Sequence, residues 1–120
     1  MQAINVDERT GGWEMSNPTF KVILFSPAGS WAVDTWDLSD CGVLDAIRWA
    51  QDRVRPDGAW AIGLITETPH PEGGMSRGFI YLEGFDPNVQ PADMSDWERT
   101  QVDVMLRRRA DRVVADESRQ

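Results

Sequence analysis

The sequence predicts an α+β domain with the element order ββαββα. Four short runs rich in β-branched and aromatic residues read as strands. Two longer runs carry apolar residues at helical spacing behind a capping residue. A chain of 120 residues is the size of one domain and can bury roughly two thirds of the surface its unfolded form exposes. The expected architecture is a four-stranded sheet, mostly antiparallel or mixed, with two helices. Residues 1–18 read as a flexible N-terminal arm, 19–115 as the single domain and 116–120 as a frayed tail.

The arm is polar, contains glycine and has no period; Trp13 is its one candidate anchor. The first strand is TFKVILF, residues 19–25, and the tetrapeptide PAGS, residues 27–30, reads as a turn. WAVDTWDL, residues 31–38, is the second strand and completes a hairpin. Ser39 or Asp40 is then placed to cap a helix, since either side chain can accept an orphan backbone N–H. Val43, Leu44, Ile47, Ala50 and Val54 define its apolar stripe, and Asp45 can pair with Arg48. Pro56 stops the helix and Asp57-Gly58 turns the chain.

The third strand, AWAIGLITET, residues 59–68, is the most apolar. One face carries Trp60, Ile62 and Leu64; the other carries Ala59, Ala61, Gly63 and Ile65. Small side chains on one face admit a close helix, which places this strand centrally. A loop, residues 69–77, leads to the fourth strand, GFIYLEGF, residues 78–85. His70 and Glu72 with Gly73-Gly74 suit a hydrogen-bonded, flexible turn in that loop. After a connection with two prolines, Ser95 and Glu98 form a capping box. Val102, Met105, Leu106, Ala110 and Val113 continue that helix for three turns.

Each strand is apolar on both faces, whereas a sheet wet on one side alternates with polar residues. In an extended chain, Trp31 and Trp36 point to opposite sides, five residues apart. Both faces therefore need cover. Either one helix lies on each face, or both lie on one face. In the second case the arm, a second copy or a partner protein covers the other.

Composition excludes several classes. The net charge of −8 opposes general binding to phosphate backbones. Residues 1–94 carry 14 acidic and 6 basic side chains, while residues 95–120 carry 6 of each. The N-terminus lacks the basic and apolar regions of a secretory signal, and no apolar run approaches a membrane span. With one cysteine there is no internal disulfide, so a reducing cytoplasm is the expected setting.

Cys41 is the best candidate nucleophile, placed in the first turn of the first helix, where the dipole favours a thiolate. Asp37, Asp40 and Asp45 surround it and oppose that charge, and His70 is the single histidine available as a base. No G-x-S-x-G motif or glycine-rich phosphate loop is present. One histidine and one cysteine cannot build a usual zinc site. Asp34, Asp37 and Asp40 share a D-x-x-D-x-x-D spacing, but a strand sends Asp34 and Asp37 to opposite faces. The run Arg107-Arg108-Arg109 with Arg112 reads as a solvated, ion-paired helix face, with Asp103 four residues before Arg107.

The pattern SWAVDTWDL followed by VLDAIRWA resembles a group of small, functionally unassigned α+β proteins of actinobacteria and their phages, over about residues 20–115. The resemblance implies a cytoplasmic setting in a GC-rich host and transfers no catalytic or binding residue.

The expectation is a non-enzymatic protein-interaction module, an accessory factor binding a protein partner or itself as a homodimer. Its surface would be an aromatic sheet face with an acidic rim: Trp31, Trp36, Trp60 and Tyr81, with Asp34 and Asp37 at the edge. An acidic mimic of nucleic acid, blocking a DNA-binding protein, and a small enzyme using Cys41 are the alternatives. No cofactor, metal, membrane or direct nucleic-acid contact is expected.

Overall fold

Residues 1–7, 16–108 and 111–114 are described in the computed structural model. Strands β1 (Phe20–Ala28) and β2 (Ser30–Leu38) pair along their whole length, Ala28 facing Ser30. The predicted PAGS turn is thus tighter than expected. Pro27 and Ala28 belong to the ladder, and Gly29 alone makes the bend, at φ +63°. Pro27 is tolerated because β1 pairs with the third strand only as far as Phe25, so no ladder bond needs its missing N–H.

Helix α1 (Val43–Arg53) starts later than predicted. Its N-cap is Gly42, not Ser39 or Asp40, and Asp45 accepts the Gly42 N–H at 3.0 Å. Asp40 instead turns the chain at φ +56°. Strands β3 (Ala59–Pro69) and β4 (Met75–Glu83) form the second hairpin; β4 begins three residues before the predicted strand. The predicted histidine turn is present: Glu72 N–H donates to His70 Nδ1 at 3.2 Å, and Gly73 and Gly74 both take positive φ. A 3-10 turn, Pro91–Asp93, precedes helix α2 (Asp96–Arg107). The capping box opens α2 as predicted, with Glu98 N–H donating to Ser95 Oγ at 3.1 Å and Ser95 N–H to Glu98 Oε1 at 2.7 Å.

α2 does not run on to Val113; it ends at Arg107. Residues 111–114 lie against α1 instead. Gln51 Oε1 accepts the N–H groups of Val113 and Val114, and Arg112 pairs with Asp52 at 2.6 Å. Trp13, Arg109, Ala110 and the expected frayed tail fall outside the described residues. Residues 1–7 carry no regular secondary structure and are exposed.

The sheet order is β2-β1-β3-β4, and every adjacent pair is antiparallel. β2 and β3 consequently run parallel with β1 between them, and α1 makes that crossover. One helix lies on each face. Phe20, Val22, Trp60 and Ile62 pack under Ala46 and Ala50 of α1. On the other face Ile23, Phe25, Ala59 and Ala61 pack under Met105 of α2. The small side chains of β3 do receive a helix, as the sequence implied.

Two details of this cover differ from expectation. Val43 and Leu44, predicted for the α1 stripe, are exposed, and Ala46 with half-buried Trp49 takes the sheet-facing role. The edge strands are also not sandwiched: most of β2 is exposed, and Ile80 and Leu82 of β4 stand in solvent. Two helices of 11 and 12 residues cover the central strands and leave the edges out.

α2 also stops short of covering its own face. Beyond Ala61, the Phe79 ring from β4 folds over Gly63, where an added Cβ would sit 1.9 Å from Phe79 Cε2 and 2.5 Å from the Ile80 carbonyl oxygen. A register shift between Ile62 and Gly63 marks a bulge at this point, which increases local twist and bends β4 over the face. Gly63→Ala should therefore destabilise the fold by about 1–3 kcal/mol, through overpacking against backbone and ring. Equilibrium urea unfolding measures this; a variant as stable as the parent would show that the ring does not occupy that space.

Candidate functional site

The exposed end of β2 supplies the candidate surface. Trp36 and Asp34 alternate onto the α1 face, opposite Val22 and Leu24. The Trp36 indole N–H donates to Asp34 Oδ2 at 2.9 Å. Its ring meets Trp49 of α1 edge-on, with centroids 5.4 Å apart, and the Arg53 guanidinium lies 4.5 Å from the centroid of the Trp49 ring. Such contacts hold aromatic and cationic groups in defined orientations. Trp36 remains 45% exposed in spite of them. Trp49 was not singled out from the sequence, although its place one residue before Ala50 on the helix was a usable signal.

The opposite face holds the other candidates. Trp31 packs at the edge of the α2-side cluster together with Phe79 and Tyr81. Its backbone N–H donates to Asn88 Oδ1 at 2.8 Å, and its carbonyl accepts from Asn88 Nδ2 at 2.9 Å. The Asn88 amide thus imitates a paired strand residue and closes the β2 edge at that point. No local pattern in the sequence signals a contact between residues 57 apart. Tyr81 lies between Phe79, which it meets edge-on, and Phe85, tilted against it, with centroid distances of 4.6 and 4.9 Å. Lys21 approaches the Phe79 ring at 5.4 Å, and Asp37 is ion-paired with Arg77 of β4.

The six candidate residues therefore do not share a surface. Trp36 and Asp34 form one group; Trp31, Tyr81 and Asp37 lie on the other side of the sheet. Trp60 leaves the candidate set, because at 2% exposure it is core. Arg108 reaches it from the end of α2, its guanidinium 4.3 Å from the ring centroid, and also pairs with Glu83. Arg108 is thus not part of a solvated helix face as expected. Arg107 is: it pairs with Asp103 at 3.7 Å and both are exposed.

Cys41 lies before the N-cap, not in the first turn of α1. Burial raises its thiol pKa first, and the carboxylates of Asp45 and Asp40 raise it further. His70 uses its Nδ1 within its own turn. Among the described residues, no group of three or more His, Cys, Asp and Glu side chains is placed to hold a metal ion. A cleft of about 370 Å³ lies between Gln51, Arg55, Trp60 and Arg112, where Gln51 and Arg112 are already engaged. Among the described residues no helix is long and apolar enough to cross a membrane.

No protein-family model matches the chain, and no curated protein or solved structure is significantly similar to it.

The Tyr81 phenol is pushed up from its ordinary 10 to about 12, first by burial and then by the Asp86 carboxylate. The fold prefers the neutral phenol. Its contribution to stability is therefore complete below pH 10 and is lost as the pH rises through about 12. The chain has one tyrosine, so phenolate absorbance reports this residue alone. The folded protein should titrate near 12 and the urea-unfolded chain near 10; coincident curves would place the ring in solvent.

Proposed function

We propose that the protein is a non-enzymatic interaction module that binds a protein partner through the Trp36 surface. The reading rests on one observation. Trp36 is a large aromatic that stays substantially exposed while Asp34 and Trp49 fix its orientation. An aromatic already held in place loses little conformational entropy on binding, which is the property of an interface anchor. Asp34 at the rim, on a chain of net charge −8, favours a partner surface that is apolar at its centre and basic at its border. An accessory role in a GC-rich host or its phages is consistent with this partner chemistry.

The two alternatives find less support in the geometry. A nucleic-acid mimic needs carboxylates spaced like phosphates along one surface. Here Asp34 and Asp37 lie on opposite faces, and Asp37, Asp52, Asp57, Glu83, Asp96 and Asp103 pair with arginines. Thiolate chemistry at Cys41 needs a lowered pKa, and its surroundings raise it.

Affinity capture from the native host tests the proposal with Trp36→Ala and Asp34→Asn beside the parent. Both side chains are exposed, so the variants should fold normally. The expected result is a protein retained by the parent and by Trp97→Ala, which removes another exposed indole, but lost from Trp36→Ala and reduced with Asp34→Asn. A full set of retained proteins with Trp36→Ala would overturn the reading.

A further inference from the structure

The two edges of the sheet are protected differently. On β2, Asn88 occupies the backbone groups of Trp31, and the exposed Asp34 carboxylate flanks the strand. Charge and a closed hydrogen-bonding position are the usual means of keeping an edge strand from pairing with another chain. On β4 the one such device among the described residues is the bulge between Tyr81 and Glu83, which leaves the strand from Met75 to Tyr81 regular. Its two charged side chains, Arg77 and Glu83, are each neutralised in an ion pair, with Asp37 and Arg108. Its strand is electrically balanced within a strongly acidic chain. Ile80 and Leu82 are nevertheless 53% and 44% exposed.

The backbone of β4 has open positions as well. His70 N–H donates to the Gly74 carbonyl at 2.9 Å, which marks this pair as hydrogen-bonded across the hairpin. Antiparallel ladders alternate bonded and non-bonded pairs. With Met75 facing Pro69 and Arg77 facing Glu67, the N–H and C=O groups of Arg77 and Phe79 therefore point outward. Nothing described bonds to them.

We propose that the outer edge of β4 pairs with β4 of a second copy, antiparallel about a two-fold axis through Phe79. Charge and the bulge set the register: centring on Tyr81 would run the new ladder into the bulge before Glu83. Centring on Arg77 would set two like charges face to face, whereas centring on Phe79 sets Arg77 opposite Tyr81 of the second copy. In this register the outward groups of Arg77 and Phe79 find donors and acceptors. Ile80 lies opposite Gly78 of the second copy and diagonal to the other Ile80, at roughly 7–8 Å, within reach of a long side chain. The absence of a side chain at Gly78 leaves room for that contact. The result is a continuous eight-stranded sheet, an isologous arrangement that closes on itself and does not polymerise. One strand edge is a small interface, so the dimer belongs to the concentration-dependent class. This inference stands apart from the Trp36 surface, which lies at the opposite edge of the sheet.

Sedimentation equilibrium on the full chain, from low to high micromolar concentration, tests it. The parent should rise from one chain to two. Ile80→Lys, at an exposed position that leaves folding intact, should weaken association about tenfold or more, while Val33→Lys on the β2 edge should leave it unchanged. Amide exchange at Arg77 and Phe79 should slow with concentration in the parent and not in Ile80→Lys. A parent that stays monomeric throughout overturns the inference. So does a dimer insensitive to Ile80→Lys, or one lost through Val33→Lys.

Discussion

β1 and β3 are buried on both faces, and that demand for cover shapes the rest of the molecule. Val22 and Ile62 point one way, Phe25 and Ala61 the other, and all four are essentially out of solvent. A sheet of this kind cannot rest on one layer of helix. The chain supplies two helices of about three turns each and divides them between the faces. Each spans the two central strands and little more. The geometry at the margins is the consequence of that shortfall.

Where α2 ends its coverage, β4 substitutes side chains for a helix. The bulge beside Gly63 bends the strand, and the missing side chain at Gly63 lets the Phe79 ring lie on the backbone of β3. Tyr81 and Phe85 extend this aromatic cover, and Arg77 spans toward Asp37 on the far strand. Burial of Tyr81 and its raised pKa follow from the same arrangement. At the other end of the sheet Arg108 performs a related task. It leaves α2, stacks on Trp60 and pairs with Glu83, so that the C-terminus of one helix is tied to the cluster beneath the other. Gln51 and Arg112 add a second tie between α1 and residues 112–114.

Acidity in this protein is a property of the whole chain more than of any patch. Most carboxylates near an arginine are paired with it, and such exposed pairs add little to stability. Their effect is to remove charge from particular places. β4 is left neutral and apolar at its edge, while on β2 the Asp34 carboxylate is bonded to the Trp36 indole. The two edges thereby acquire different chemistry from a single composition.

Local chemistry settled the element types. Strand content, the Ser95–Glu98 box and the small face of β3 were legible because each depends on neighbours within a few residues or on a simple period. The opposite placement of Trp31 and Trp36 was legible for the same reason, since alternation needs no partner. Boundaries were less so. A capping role for Ser39 or Asp40 was plausible locally, yet Asp45 at the third helical position serves Gly42 instead. Val43 and Leu44 fit the α1 period but overhang the sheet, because periodicity gives a direction around a helix and not how far its support extends. Only the tertiary structure decided that Trp60 is core, that Asn88 closes the edge at Trp31 and that Arg77 reaches Asp37. Each of those depends on contacts dozens of residues apart, which cost loop entropy to form and leave no local mark on the sequence.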